Sequence, residues 1–564
     1  MRSTTFRLSF TSLKNRVTAD LFIYASLLDI RELTSNDTLK SPAIDESIEN
    51  MRLELAFTTT PRSLIDFENL PEGDFFIKNF YGKFRNYAHT FRKFNAHVIV
   101  GEEDLDILEF NGGIDDNAFE YLGKIYNYPM LLADTIRGDM DIDFGIKSPL
   151  IKLNDLFAYG TENYIPPDYR NEEISDIEIF GNATLTFQDS LISTKMYFDQ
   201  LSAGLKLHEM NLDDFHGKIR LLPDVFVLDG MTGSIGNTTF TSTMDYYLGE
   251  NDSIRKATNQ IILNAELVDF DQLSNYSYST SSTKVAEDSL FNIYKIPFTD
   301  LQFAVNIGKL TYHKHQIDSV NAVIRIQKNH FLFIDTLEFY SAGGHVDLKG
   351  YFDGSDHAKI NFYPDMRLDS INLEEALFRF DNFDQEFLVS ENLKGSLSGT
   401  ITGRVRMQAD MMAQIDDSEL YLDVTIVNGR LNNYKPMESL SEYFKNKNLA
   451  SILFDTLTNR FEVRNGAIII PAMTINSSLG TLDISGTQQM DYEMEYFLRL
   501  PMKLVTQASW QKLFGRKDSM PDSTHLDAVQ YKNSDKKVWY VNLKLEGTPE
   551  NYRVSLGRKT KGKG

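Results

Sequence analysis

Asp139, Asp141 and Asp143 stand at the spacing that opens a calcium-binding loop. Such a loop needs a glycine at its sixth position for the turn and a bidentate glutamate at its twelfth. Those places hold Phe144 and Leu150, while Met140, Ile142 and Phe144 alternate with the acids. A strand with one wet face accounts for the pattern better. His313 and His315 share one face of an extended segment, as zinc ligands sometimes do, but the local sequence supplies no third ligand. Gly395-Ser-Leu-Ser-Gly399 has Leu397 where a nucleophile elbow needs its serine. His208-Glu209 lacks the second histidine of a zincin motif, and polar turns replace the glycine loops that cradle phosphates. With no cysteine there are no thiolate ligands, cysteine nucleophiles or disulfides. The expectation is a protein without catalytic residues, metal or cofactor.

Composition narrows the class further. Of 564 residues, 42% are apolar and 12% aromatic, too many for a disordered chain. Lys and Arg number 57 against 80 Asp and Glu, a net charge of −23, which argues against nucleic acid as the main partner. It also argues against broad adhesion to anionic headgroups. The basic end, Arg558, Lys559, Lys561 and Lys563, reads as a solvated terminus. Residues 1–10 contain no apolar core of a signal peptide. The longest uncharged apolar-rich run, 21–28, falls far short of the roughly 20 residues of a spanning helix, so the chain as given is expected to be soluble.

The elements that would position any site are strands. Residues 461–502 break into alternating pieces: Phe461-Glu-Val-Arg, Ala467-Ile-Ile-Ile-Pro471, Gly480-Thr-Leu-Asp-Ile-Ser-Gly486 and Tyr492-Glu-Met-Glu-Tyr-Phe-Leu-Arg-Leu500. The pattern apolar, acidic, apolar, any, Gly recurs at Phe119-Glu-Tyr-Leu-Gly123, Val346-Asp-Leu-Lys-Gly350 and Leu482-Asp-Ile-Ser-Gly486, with a degenerate copy ending at Phe240. Taking Gly112, Gly233, Gly344 and Gly480 as marks, a long repeat is expected, several strands per copy. A second element alternates with it, a strand running into an apolar turn, at 152–157, 210–215, 267–273 and 371–377. Residues 437–460 carry Leu440, Tyr443, Phe444, Leu449, Ile452, Leu453 and Leu457 at three- and four-residue steps, which predicts an amphipathic helix. The expected division is 1–290 and 291–394 as β-repeat regions and 395–564 as a C-terminal region.

So many half-apolar strands with so few helices pose a packing problem, since an apolar sheet face must be covered. Either sheets pack on one another as closed sandwiches, or one long sheet curls into a groove filled by something apolar; alternation alone does not separate the two. The stripes that would line such a groove are Ile324 with Ile326, Val346 with Leu348, Ile468 with Ile470, Leu482 with Ile484, and Leu543 with Leu545.

Asn428-Gly-Arg-Leu431, Pro436-Met-Glu-Ser-Leu-Ser441, Arg464-Asn-Gly-Ala-Ile-Ile-Ile-Pro471, Gly480–Gly486 and Val541-Asn-Leu-Lys-Leu-Glu-Gly-Thr548 resemble the C-terminal region of AsmA-like proteins over about 395–556. The resemblance implies a mostly β fold, an elongated antiparallel repeat sheet curled into an apolar groove, as in bridge-like lipid transfer proteins related to TamB. It implies a periplasmic body of a Gram-negative envelope protein, held to the inner membrane by an anchor that these residues do not contain. The implied function is non-enzymatic transfer of phospholipid or another acyl lipid between inner and outer membranes, supporting outer-membrane biogenesis. The rival expectation is a scaffold of closed β-sandwich repeats that binds other envelope proteins.

Overall fold

Period-two alternation with Val, Ile, Thr, Tyr and Phe at the apolar places favours extended backbone. The computed structural model is accordingly mostly β, with few helices. It describes residues 2–13, 15–29, 47–64, 70–85, 87, 89–133, 135–153, 158–159, 162–163, 173–206, 210–273, 293–295, 299–312, 315–379, 382, 389–409, 413–438, 449–504, 529–531, 538–548 and 551–557. The chain forms two units, Met1–Asn275 and Tyr276–Gly564.

The first unit is an antiparallel meander of β1 (Arg2–Leu13), β2 (Arg16–Asp29), β3 (Ser47–Thr59), β4 (Gly73–Phe84), β5 (Thr90–Val100), β6 (Asp104–Ile114), β7 (Asn117–Tyr126) and β8 (Arg137–Lys152). A separate small hairpin follows, β9 (Ala158–Tyr159) with β10 (Glu162–Asn163). The meander resumes with β11 (Glu173–Gln188) directly against β8, then β12 (Ser190–Leu205), β13 (Met210–Leu221), β14 (Val225–Ile235), β15 (Thr238–Tyr247) and β16 (Gln260–Asp269). Between β15 and β16 lies α1 (Asp252–Thr258), whose first amides are capped by the Asn251 side chain. After β16 comes one turn, α2 (Phe270–Leu273).

The second unit continues the scheme: β17 (Leu301–Tyr312), β18 (His315–Gln327), β19 (Phe331–Ser341), β20 (Gly344–Asp353), β21 (Ile360–Asn372), then α3 (Leu373–Arg379). Next come β22 (Leu393–Met407), β23 (Ala413–Asn432), the turn α4 (Lys435–Glu438), β24 (Ser451–Arg464), β25 (Ala467–Ser477), β26 (Gly480–Gln489), β27 (Met494–Pro501), β28 (Tyr540–Gly547) and β29 (Tyr552–Leu556). Each strand pairs antiparallel with the next.

The helix expected over 437–460 needs correction. Residues 439–448 lie outside the described residues, and 451–460 belong to β24. Leu449, Ile452, Leu453 and Leu457 fit a helical template, yet Ile452 (5%) and Phe454 (7%) are the buried pair, two residues apart. The ladder with β23 and the hydroxyl contact Thr425–Thr458 (3.1 Å) supply partners that a lone helix lacks. Tertiary pairing overrides the local period.

The repeat is visible as geometry. Four hairpins, β6–β7, β14–β15, β19–β20 and β25–β26, each join an 11-residue strand to a 10-residue strand. Each carries a register shift at the same place, Ile107/Phe110, Leu228/Met231, Ile334/Leu337 and Ile470/Met473. The equivalent first residues of the second strands are Asn117, Thr238, Gly344 and Gly480, so Gly112 and Gly233 are five places out of step with Gly344 and Gly480. In three of the four modules the third strand is tied back to the hairpin turn. Asn117 Oδ1 accepts from Lys152 N (2.7 Å), Thr238 Oγ1 from Asp269 N (3.0 Å), and Ala342 O from Asn372 N (2.9 Å).

The recurring glycine now has a cause. Gly123, Gly350 and Gly486 lie opposite the first residue of each bulge, where the next strand comes close. A Cβ there would run into the carbonyl oxygens of Asp143, Tyr363 and Glu495 respectively.

Candidate functional site: an apolar sheet face

Directly paired residues in an antiparallel ladder project to one face. In the first unit the register sets Leu21, Leu55, Ile77, Ala96, Phe110 and Tyr121 side by side from β2 to β7. From β7 onward the same face continues as Ile125, Ile142, Ala183, Met196, Ile219, Leu228, Met244 and Ile261, one from each of eight strands. Of these eight only Ala183 is buried; the large side chains stay half-buried. The bulges keep this face continuous, because each inserts residues without flipping those beyond it. Leu108, in the β6 bulge, is left 55% exposed.

The second unit is two-faced in the same way. Leu301, Ile326, Leu332, Phe352 and Phe362 form one row, and Leu337, Leu348, Met366, Ile401, Leu422 and Phe461 another. All ten stripe residues fall on this face. Ile324 pairs with Ile334, Val346 with Leu368, Ile468 with Gln488, and Ile470 with Gly486. Leu482 pairs with Ile475, Ile484 with Leu498, Leu543 with Leu498, and Leu545 with Tyr496.

Their surroundings differ along the sheet. Ile324, Ile326, Ile468, Ile470 and Ile484 are half-buried, whereas Val346, Leu348, Leu482, Leu543 and Leu545 are buried. Toward β26–β28 the face closes over a core in which Leu479, Leu500, Leu543 and Leu545 are at 1% exposure or less, with Leu449, Ile452 and Phe454 in the same cluster. Within that core Tyr434 and Tyr496 bring their hydroxyls to 3.4 Å, and Tyr496 donates to Gln488 Oε1 at 2.7 Å. Burial, with Tyr496 beside it, holds the Tyr434 hydroxyl well above the usual tyrosine range, and burial raises Tyr496 as well.

The opposite face is charged. Arg325 grips Asp335 through two hydrogen bonds (2.5 and 2.7 Å), and Arg499–Asp483 (2.9 Å) and Lys544–Glu495 (2.6 Å) bridge neighbouring strands. Asp139, Asp141 and Asp143 belong to the corresponding face of β8, where Asp141 accepts from Thr184 Oγ1 (2.6 Å) and Asp143 from the Tyr126 hydroxyl (3.0 Å). His315 opens β18, its ring 5.6 Å from Phe378; His313, His208 and Glu209 lie outside the described residues. Gly395 and Gly399 are both strand residues of β22. Among the described residues no three His, Asp or Glu side chains converge as a metal site, and no helix is long and apolar enough to cross a membrane.

The stripes expected to line a groove include no residue of the first unit, although the alternation is equally strong there. The signal was present in Met140, Ile142 and Phe144. Its extension was hidden by bulges with positive φ at Asn79, Lys93 and Asp214, each of which breaks a simple count of odd and even positions. Comparison with protein families, curated proteins and solved structures finds no match to this chain.

Proposed function

We propose that the chain is a non-enzymatic lipid carrier, its apolar sheet face forming a groove for the acyl chains of phospholipid. The observation that carries this reading is the row from Ile125 to Ile261 across eight strands, in which every side chain but the buried Ala183 is large, apolar and half-buried. An acyl chain laid on such a row leaves water at about 0.8 kcal/mol per methylene, while its headgroup stays wet. Together with the resemblance of 395–556 to AsmA-like proteins, this supports transfer between inner and outer membranes from a periplasmic body.

A scaffold of closed cores is the second reading, favoured by the dry cluster around Leu500 and Leu543. Lipid extraction and mass spectrometry of the purified chain, after size exclusion without detergent, separates the two. Stoichiometric phospholipid is expected, lost in Ile142→Glu and Ile324→Glu but kept in Asn321→Glu, which sits on the opposite face of β18. A well-folded, lipid-free chain overturns the carrier reading.

A further inference from the structure

Several cations on the polar face are paired across strands. Lys124 meets Asp104 (3.0 Å) and Asp106 (3.2 Å), Lys147 meets Glu178 (2.9 Å), and Arg325 holds Asp335 through Nε and a terminal nitrogen together. Three neighbouring cations of the first unit depart from this. Among the described residues, Lys195 on β12 and Lys218 and Arg220 on β13 have no ion pair and no side-chain hydrogen bond. The register sets Lys195 directly opposite Arg220, with Lys218 two residues along the same face. Like charges directly opposite one another repel. Arg220 Nε is moreover shut off from solvent without an acceptor, which costs a guanidinium its hydration and returns nothing.

The carboxylates of the surrounding ladder do not answer these charges. In the row that holds Lys195 and Arg220, Asp141 accepts from Thr184 Oγ1 (2.6 Å) and Asp245 from Gln260 Nε2 (2.8 Å). Asp229 stands opposite Lys218, both exposed, without forming an ion pair. A chain of net charge −23 thus keeps three adjacent positive side chains uncompensated at one place. Residues directly opposite in a ladder have Cβ atoms about 5 Å apart, so Lys195 and Arg220 both reach a single anion between them.

We propose that Lys195, Lys218 and Arg220 bind one phosphate group on the polar face of β12 and β13. Arg220 takes two of its oxygens along the Nε edge, as Arg325 takes Asp335, and the lysines add point charges to the others. A carboxylate suits the three less well, because the guanidinium fork takes both of its oxygens and leaves none for the lysines. The flanking Asp141, Asp229 and Asp245 limit the site to a single phosphate and oppose the run of phosphates along a nucleic acid. Met196 and Ile219, paired between these residues, point to the other face, so the site stands whether or not the apolar row carries lipid.

The test titrates the full chain with inorganic phosphate by calorimetry at constant ionic strength, and separately with phosphatidylcholine vesicles carrying ~10% phosphatidic acid. The expected result is saturable one-to-one binding, weakened at least ~tenfold in Arg220→Gln and in Lys195→Ala with unchanged circular dichroism. Arg220→Lys should weaken it too, since an ammonium loses the two-oxygen grip, whereas Lys349→Ala on β20 leaves it unchanged. Binding of inorganic phosphate assigns the site to a soluble ligand; binding of the vesicles alone, lost in Arg220→Gln, assigns it to a lipid headgroup. Binding of neither, up to ~50 mM phosphate, overturns the proposal. Binding undiminished in both Arg220→Gln and Lys195→Ala, or equal binding of acetate, overturns it as well.

Discussion

At the scale of single residues, small side chains and buried hydroxyls decide most. Gly486 faces the carbonyl of Glu495 so closely that Gly486→Val must push two strands apart. A loss of about 2–4 kcal/mol is expected, seen as a lower denaturation midpoint with little change in slope. The Tyr434–Tyr496–Gln488 network gives a pH signature. Both tyrosines have folded pKa values raised by burial, so their contribution is fully present below the unfolded value of about 10 and is lost as pH climbs through the folded values. Urea midpoints should therefore fall above about pH 10, and Tyr496→Phe, which removes the donor to Gln488, should cost about 1–2 kcal/mol at neutral pH.

At the scale of elements, β24 shows what the sequence reveals and what it hides. Leu449, Ile452, Leu453 and Leu457 satisfy a helical spacing, while Ile452 and Phe454, two residues apart, satisfy a strand spacing. Only the neighbouring strands, distant in the reading of one segment, choose between them. Phe454→Ala should cost about 3–5 kcal/mol, while exposed Thr456→Ala stays within about 0.5 kcal/mol. A thermal melt of Phe454→Ala beside Ile452→Ala distinguishes period two from period 3.6: in the strand both lower the midpoint, whereas a helix would put the two about 200° apart. The hairpin motif was legible for the opposite reason: its glycine answers a local demand of the bulge and its two apolar residues lie on the apolar face, both within one short stretch. Its phase was not, because Gly112 and Gly233 owe their place to a ring. A Cβ on Gly112 would meet Phe94, and one on Gly233 would meet Phe215, rather than the hairpin turn that Gly344 and Gly480 follow. The ten stripe residues were found by alternation, but which of them lie in a dry core depends on how far the sheet closes, and alternation is silent on that.

At the scale of the molecule, the two units are expected to unfold as separate steps. The dry cluster around Leu479, Leu500, Leu543 and Leu545 has no counterpart of its size among the described residues of the first unit, whose largest described cluster centres on Ala25, Ile48 and Met51. Calorimetry should resolve two transitions, and amide exchange should be slowest in β26–β28 and faster in β11–β15. A single transition with uniform exchange would mean that the two behave as one cooperative body.

The tied-back hairpin also works as a unit of length. Strands add sideways at about 4.8 Å each, so one more hairpin with its third strand would widen a sheet by about 14 Å. Because every bulge returns the apolar side chains to the same face, that widening needs no new chemistry at the joint. Duplication or loss of modules then resets how far the apolar surface reaches, as links set the reach of a chain, while each link keeps its own fold.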